Sequence, residues 1–163
     1  GGILADAYTD RVYQSTLVAY LFEAKRFGQK TGLGYSKYAD GKTESEDPSL
    51  AELVEKARKD AGNPAAIEAD ANDIVEWTLF GVVNEACRCL DEGIAIRASD
   101  IDVASVMGMG FPPYRGGLMK WADTLGAKHI ADRLSTWAEA HGPAFAPCQY
   151  LLDKAKSGES FVD

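Results

Sequence analysis

The stretch that decides the fold is DIVEWTLFGVVNEACRCLDE, residues 73–92. Its apolar residues recur at three- and four-residue steps, the period of a helix, and they are Ile74, Trp77, Phe80, Val83, Ala86, Cys87 and Leu90. They cover most of the helix circumference, as expected of a buried helix rather than a surface one. The pattern therefore predicts the central core helix, with Gly93 as its stop.

Helical periodicity predicts further helices on both sides of this one. They span residues 6–27, 48–61, 100–107, 118–125, 127–140 and 148–156. Residues 29–38 form a glycine-containing loop, and the mostly acidic residues 40–47 are typical of an exposed linker. Because no stretch alternates with period two, the predicted fold class is all-α.

Composition narrows the class of protein. With 163 residues, 46% of them hydrophobic, the chain has enough apolar residues for one compact domain, with or without an appended fragment. Its net charge of −8 and scattered basic residues disfavour nucleic acids and anionic membranes as partners. No apolar run approaches the ~20 residues that a membrane-spanning helix needs.

The cysteines and histidines carry little predicted chemistry. We expect Cys87, Cys89 and Cys148 to be reduced thiols rather than metal ligands, since neither His129 nor His141 stands at a ligand spacing from them. General-base catalysis needs a histidine held by a carboxylate in a cleft. We expect instead a solvated His129 beside Asp132 and Arg133, and a structural His141 at a helix end.

A dinucleotide site is not predicted anywhere in the chain. Such a site needs a glycine-rich turn between a strand and a helix. Gly32-Leu33-Gly34 supplies two glycines, but position 37 is Lys and no strand precedes it, and none precedes the 110–117 segment either.

The segment GMGFPPYRGG, residues 108–117, is the least compatible with a helix. Gly116 and Gly117 at a helix start are compatible with anion binding through backbone N–H groups, with Arg115 adding charge. We favour a rigid elbow, because the adjacent prolines supply no donors. Just before it, Ser99 and Asp102 resemble a capping box.

Asn84 and Glu85 are polar residues in the middle of the most apolar predicted helix. Either they face a partner domain or a ligand, or they satisfy backbone groups of the elbow. Spacing alone does not choose between these roles.

A weak internal repeat is present at an offset of 130 residues. Tyr20-Leu21-Phe22-Glu23 matches Tyr150-Leu151-Leu152-Asp153, and Gly28 matches Gly158. Amphipathic helices that end in glycine are common, so a match this short also arises by chance.

Several motifs together resemble one family, the multifunctional fatty-acid β-oxidation enzymes that join enoyl-CoA hydratase to L-3-hydroxyacyl-CoA dehydrogenase. The motifs are Val82-Val83-Asn84-Glu85-Ala86, Asp91-Glu92-Gly93, Ser99-Asp100-Ile101-Asp102, the segment 107–117, Trp121-Ala122-Asp123, Leu125-Gly126 and Phe145-Ala146-Pro147-Cys148. The elbow is most similar to plant and algal peroxisomal members. The resemblance implies a helical bundle like the C-terminal domain of 3-hydroxyacyl-CoA dehydrogenase.

The resemblance also implies a domain organisation. Residues 1–38, with Lys30-Thr31-Gly32-Leu33-Gly34-Tyr35, are the expected tail of a first helical repeat. Residues 39–70 are a linker with one helix, and residues 71–163 a second repeat. In this family NAD and the catalytic His–Glu pair belong to a Rossmann domain outside this chain. We therefore assign no catalytic, cofactor-binding or metal-binding residue here, and expect the fragment alone to be inactive.

The expected role is to brace the oxidation of 3-hydroxyacyl-CoA by NAD. The expected partners are upstream Rossmann, first-repeat and hydratase domains, and the parent enzyme's acyl-CoA. Candidate contacts with a partner domain or CoA are Lys30, Asn84, Glu85 and Arg115. The rival hypotheses are a non-catalytic helical scaffold subunit and an independent CoA-binding module. The expected location is the peroxisome or glyoxysome, with the mitochondrion as the alternative.

Overall fold

The computed structural model describes residues 2–11, 15–42, 44–62 and 68–162, and their regular structure is helical. The α-helices are α1 (Gly2–Ala7), α2 (Leu17–Glu23), α3 (Leu50–Asp60), α4 (Ala71–Asp91), α5 (Ala98–Met109), α6 (Leu118–Leu125), α7 (Ala127–His141) and α8 (Gln149–Ser157). Short 3-10 turns lie at Gln29–Thr31, Pro113–Arg115 and Pro143–Phe145. β-pairing within these ranges is limited to isolated bridges between residues 28 and 45. The all-α prediction is confirmed.

The chain divides into two compact units. One comprises Gly1–Val12 with Ala69–Asp163, and the other comprises Tyr13–Glu68. This division neither supports nor opposes the expected repeats at 1–38 and 71–163, which stay a prediction.

The helix α4 is the centre of the larger unit, as the sequence predicts. It begins with a reciprocal capping box, in which Asp73 N–H donates to Asp70 Oδ1 at 2.8 Å and Asp70 N–H donates to Asp73 Oδ2 at 3.2 Å. Phe80, Val83 and Cys87 on this helix are fully buried. A cap at one end and apolar side chains along its length explain why these residues form the longest helix described.

Helices α6, α7 and α8 complete the core around α4. Their buried side chains include Leu118, Met119, Trp121, Ala122, Ile130, Leu134, Trp137 and Leu151. The Trp77 and Trp137 rings lie 4.8 Å apart, and Phe80 lies between Trp121 and Trp137 at 6.1 and 5.8 Å. The predicted bounds of α6, α7 and α8 are correct to within one residue.

The helix predicted over residues 6–27 is wrong in extent. α1 ends at Ala7, α2 spans only Leu17–Glu23, and residues 12–14 lie outside the described residues. The chain leaves the helix at Lys25, whose φ is 56°. This turn takes Arg26 into a buried position, where its Nε donates to the Gly34 carbonyl at 2.8 Å and its guanidinium pairs with Asp47 at 2.5 Å.

In the acidic segment, residues 40–42 and 44–46 are exposed as predicted, whereas Asp47 at its end is not. Asp47 accepts from Arg26 and from the Ser49 hydroxyl, whose oxygen lies 2.9 Å away. The Arg26 hydrogen bond, followed by that of Ser49, holds the pKa of Asp47 below its ordinary value. The predicted linker is therefore anchored to the loop that follows α2.

No helix in the described ranges combines the length and the apolar character that crossing a membrane requires.

Candidate functional site

The junction between α5 and α6 is built by two side chains of α5. Asp102 Oδ1 accepts the N–H of Met119 at 2.6 Å and that of Lys120 at 3.2 Å. Ser105 Oγ accepts the N–H of Leu118 at 3.1 Å and donates to the Asp102 carbonyl at 2.8 Å. The first N–H groups of a helix have no partner within that helix. Here a carboxylate and a hydroxyl from the preceding helix supply three of those partners.

The predicted capping box at Ser99 and Asp102 is therefore wrong. α5 begins at Ala98, two residues earlier than that box requires, and its N-cap Arg97 makes no side-chain capping bond. Asp102 does cap a helix, but the helix is α6, some 17 residues along the chain. The residue type indicated a cap, and the sequence did not indicate which helix it caps.

The elbow prediction is supported against the anion-binding alternative. Gly117 has a φ of 111°, and a Cβ at this position would stand 2.3 Å from Asp102 Cβ and 2.5 Å from its Oδ1. Only glycine therefore lets the carboxylate reach the start of α6. Since Asp102 and Ser105 already hold the N–H groups of residues 118–120, those donors do not face an external anion.

A mostly apolar pocket of about 560 Å³ lies against the outer side of this junction. It is lined by Ser99, Asp102, Val103, Val106, Met107, Pro113, Gly116, Lys120 and Val162. Met107 is 82% exposed, and Val103 is also largely exposed. We call the exposed side chains of Val103, Met107 and the neighbouring Pro113, all three of which line this pocket, the α5 apolar face. Exposed apolar groups concentrated in this way are typical of a surface that contacts something else.

Asn84 forms hydrogen bonds with backbone groups, but these groups belong to the turn before α8 and not to the elbow. Its side chain is 2% exposed; Nδ2 donates to the Ala146 carbonyl at 2.9 Å and Oδ1 accepts the N–H of Cys148 at 2.8 Å. Arg88 donates to the same Ala146 carbonyl at 3.3 Å. Of the roles considered, the structure supports backbone satisfaction, at the turn that enters α8.

Glu85, the neighbour of Asn84, lies on the surface in an ion-pair network. Its carboxylate is 3.1 Å from Arg11 Nη1 and 3.0 Å from Arg88 Nη1. Arg11 also reaches Glu92 at 3.5 Å, so Glu85 helps to fix the residues after α1 along α4.

Arg115 and Lys30 are exposed cations, each lying over a neighbouring ring. The Arg115 guanidinium lies 5.4 Å from the Tyr114 ring centroid, in the 3-10 turn of the elbow. In the smaller unit, Lys30 Nζ lies 5.4 Å from the Phe27 ring centroid. Arg88 forms an ion pair with Glu85 and shares the Ala146 carbonyl with Asn84, so these residues lie in one cluster. Arg115 lies apart from them, at the elbow. The proposed contacts of all four with a partner domain or CoA stay predictions.

His129 is on the surface, as predicted, but with a different partner. Its Nε2 is 3.0 Å from Glu76 Oε1 on α4, and its ring packs edge-on against Phe80 at 5.7 Å. Arg133 donates to the other oxygen of Glu76 at 2.7 Å. His141, the last residue of α7, packs against Trp77 at 5.1 Å. Both histidines therefore contribute to the contact between α4 and α7.

Whether this chain can hold a metal ion or a cofactor depends on the ligating side chains and backbone N–H groups that its structure brings together. Within the described ranges, no group of three His, Cys, Asp or Glu residues is placed to hold a metal ion. The residues do not fit NAD: the glycine-rich elbow follows a helix, not a strand, and the N–H groups at the start of α6 are already bonded to Ser105 and Asp102. We derive no step through NAD on this chain.

The fold and the elbow together define a helical domain, and the residues that the structure describes contain no strand–turn–helix unit of the kind found in nucleotide-binding domains. Residues 74–160 match the family described as "3-hydroxyacyl-CoA dehydrogenase, C-terminal domain". The chain belongs to this family.

Curated relatives extend the similarity to nearly the whole chain. The peroxisomal fatty acid beta-oxidation multifunctional protein MFP2 of Arabidopsis thaliana is 44% identical over 154 residues, 93% of this chain and 21% of the relative. Its Arabidopsis counterpart AIM1 is 47% identical over 163 residues, 97% of this chain and 22% of the relative. The chain therefore spans about a fifth of the length of these relatives.

A solved structure supports the fold alone. It is the crystal structure of the dehydrogenase part of multifunctional enzyme 1 from C. elegans, at a TM-score of 0.60 and 21% identity. The match covers 93% of this chain and 35% of that one.

Proposed function

We propose that this chain is the C-terminal part of a multifunctional fatty-acid β-oxidation enzyme, where it braces the NAD-dependent oxidation of 3-hydroxyacyl-CoA. Family membership over residues 74–160 and relatives about five times as long support this role. NAD and the reacting groups are supplied by polypeptide outside these residues. In this proposal residues 1–38 close a first helical repeat, residues 39–70 connect, and residues 71–163 form the second repeat.

The α5 apolar face is the observation that carries the bracing role. A self-sufficient domain rarely leaves a side chain such as Met107 82% exposed beside other exposed apolar groups. The elbow beneath it is rigid, because Asp102 and Ser105 fix the start of α6. A rigid apolar surface can hold a neighbouring domain in place, and catalytic groups require such placement to within fractions of an ångström.

The names of the plant relatives, peroxisomal in Arabidopsis and glyoxysomal in cucumber, support a peroxisomal or glyoxysomal location. The description of the matched family, 3-hydroxyacyl-CoA dehydrogenase, supports an acyl-CoA as the substrate of the parent enzyme. Lys30 and Arg115 are the exposed cations that we propose for contact with a neighbouring domain or with the phosphates of CoA. Glu85 and Asn84 act in this proposal by fixing Arg11 and the turn into α8.

The test is to make Met107→Glu in the full-length polypeptide, with Ile74→Glu as the matched control. Ile74 is also an exposed apolar residue of a helix, 59% exposed, and it does not line the pocket. A carboxylate in the α5 apolar face should separate it from its neighbour and lower kcat for 3-hydroxyacyl-CoA oxidation about 10- to 100-fold, the scale of a misplacement near 1 Å. Formation of NADH, followed by its absorbance, gives kcat and KM.

Equal activity of the two variants would refute bracing through this face. The mass of the native polypeptide distinguishes this proposal from the hypothesis of a scaffold subunit. A native polypeptide no longer than 163 residues would refute the proposal that the chain is part of a multifunctional enzyme. Titration calorimetry of the isolated chain with an acyl-CoA tests the CoA-binding module, and we expect no measurable heat.

A further inference from the structure

Lys120 is a cation of the larger unit for which no ion pair is described. Most basic side chains of this unit have a carboxylate partner, and these paired residues are Arg11, Arg88, Arg97, Lys128, Arg133 and Lys154. Within the described ranges, Lys120, Arg115 and Lys156 have none. Because the net charge of the chain is −8, carboxylates are plentiful in it. The ammonium group of Lys120 is therefore open to a carboxylate from elsewhere.

Lys120 differs from Lys156 because it lines the pocket beside the α5 apolar face. Its backbone is fixed, since its N–H donates to Asp102 Oδ1 at 3.2 Å. Its stem packs on the elbow: a Cβ added to Gly116 would stand 2.9 Å from Lys120 Cγ and 3.3 Å from Lys120 Cβ. The methylene groups of Lys120 therefore extend the apolar lining from a fixed base, while the side chain as a whole remains exposed.

The carboxylate that lines the same pocket, that of Asp102, already has partners. Asp102 is 7% exposed, and its Oδ1 accepts the N–H groups of Met119 and Lys120. Arg115, in the neighbouring 3-10 turn, is a second exposed cation at the elbow. The pocket thus combines apolar side chains with a positive charge that the described part of the chain does not neutralise.

A partner that covers this pocket removes water from Lys120. A charge that loses its water without gaining an opposite charge costs more free energy than the burial of a single apolar side chain provides. Charges across an interface are accordingly complementary, which fixes the register of the two surfaces and suppresses wrong partners. An element that covers the α5 apolar face therefore needs a carboxylate as well as an apolar side chain.

We propose that a segment of the parent polypeptide outside residues 1–163 lies on the α5 apolar face, with an apolar side chain in the pocket and a carboxylate paired with Lys120. The relatives are about five times as long as this chain, so a parent of that length has further residues to supply such a segment. This inference rests on the proposed function, because it names the chemistry of the partner that the bracing role requires.

Carbodiimide cross-linking of the full-length polypeptide in its native state tests the pair directly. The reagent joins an amine and a carboxylate that are in contact, as an amide with loss of one water, and mass spectrometry identifies the linked peptides. We expect Lys120 to be linked to an aspartate or glutamate outside residues 1–163. Lys128 and Asp132, which are 2.6 Å apart, are the positive control, and Lys156, exposed and outside the pocket, is the negative control.

Charge reversal at Lys120 gives a second readout. Lys120→Glu places a like charge opposite the partner's carboxylate and should lower kcat for 3-hydroxyacyl-CoA oxidation about 10-fold at low ionic strength. The loss should shrink as salt is added, because salt screens the repulsion, whereas a general packing defect would not respond to salt in this way. Lys156→Glu, the matched control, should change neither kcat nor its salt dependence.

Two cross-linking results would overturn the inference, and both come from the unmutated polypeptide. One is a link from Lys120 to a carboxylate within residues 1–163, Asp163 included, whether in the same chain or in a second copy. The other is no link at Lys120 in a sample where Lys128 and Asp132 are joined.

The inference and the proposed function fail separately. If Met107→Glu lowers kcat but Lys120 forms no link outside residues 1–163, bracing stands and this inference is wrong. If the link forms but Met107→Glu and Ile74→Glu are equally active, the contact exists and does not brace catalysis.

Discussion

Replacing Gly117 by alanine tests the account of the elbow most directly. Two separate costs follow from its position. A φ of 111° with a ψ of 176° is a conformation that side chains rarely adopt, at a cost of about 1–3 kcal/mol. The new Cβ would also overlap Asp102, displacing the carboxylate from the N–H groups of Met119 and Lys120.

The second cost is estimated from the bonds that are lost. Loss of an exposed helix cap costs about 0.5–2 kcal/mol, but Met119 is buried, so the cost that applies is that of a buried group left without its partner, about 1–3 kcal/mol. We therefore expect Gly117→Ala to lower the free energy of unfolding by about 2–6 kcal/mol in total.

Gly142 is a matched control for the backbone cost alone. Its φ is 104° and its ψ 172°, almost the same as Gly117, but apart from its chain neighbours no heavy atom lies within 4 Å of the position that a Cβ would take. Gly142→Ala should therefore cost only about 1–3 kcal/mol. Asp102→Asn should cost about 1 kcal/mol, because the amide oxygen still accepts but the charge is lost.

Urea unfolding of the purified chain, followed by tryptophan fluorescence and far-UV circular dichroism, measures all three values. Trp121 lies on α6 itself and reports on the helix concerned. If Gly117→Ala and Gly142→Ala destabilise the chain equally, the close approach of Asp102 contributes nothing and the account is wrong.

Two further perturbations concern the other anchored polar groups. Asn84→Ala should lower the free energy of unfolding by about 1–3 kcal/mol, since the N–H of Cys148 loses its buried acceptor, and an unchanged urea unfolding curve would contradict this. Because Arg26 holds the pKa of Asp47 below its ordinary value, their pair contributes stability above about pH 4 that is lost as pH falls through the lowered pKa of Asp47. Arg26→Met should remove this part of the acid dependence in unfolding curves between about pH 7 and pH 3, and an unchanged pH profile would contradict it.

Local apolar periodicity was sufficient to predict most of the larger unit. α4, α6, α7 and α8 were predicted because each buries one face, or most faces, in a single core. Over residues 6–27 the apolar periodicity predicts one continuous helix, and this prediction is wrong. The apolar pattern continues past Glu23, but the chain turns at Lys25 and buries Arg26. The partners of Arg26 come from residues 34, 47 and 49, which the local pattern does not reveal.

The candidate site was harder to predict, for the same physical reason. The sequence pattern predicts that Asp102 belongs to the cap of its own helix, and spacing alone does not choose between the two roles of Asn84. Their partners lie 17 and 64 residues away along the chain, at Met119 and Cys148. Ser105, which the sequence did not single out, has no signal beyond being a polar residue in an apolar helix.

The way in which α5 caps α6 has a consequence for local opening. Amide protons in the first turn of a helix usually exchange rapidly with solvent, because they have no partner within the helix. The protons of Leu118 and Met119 are held by Ser105 and Asp102, so they exchange only when α5 separates from α6. Slow deuterium uptake at these two positions would then measure the free energy of that separation, not the fraying of a helix end.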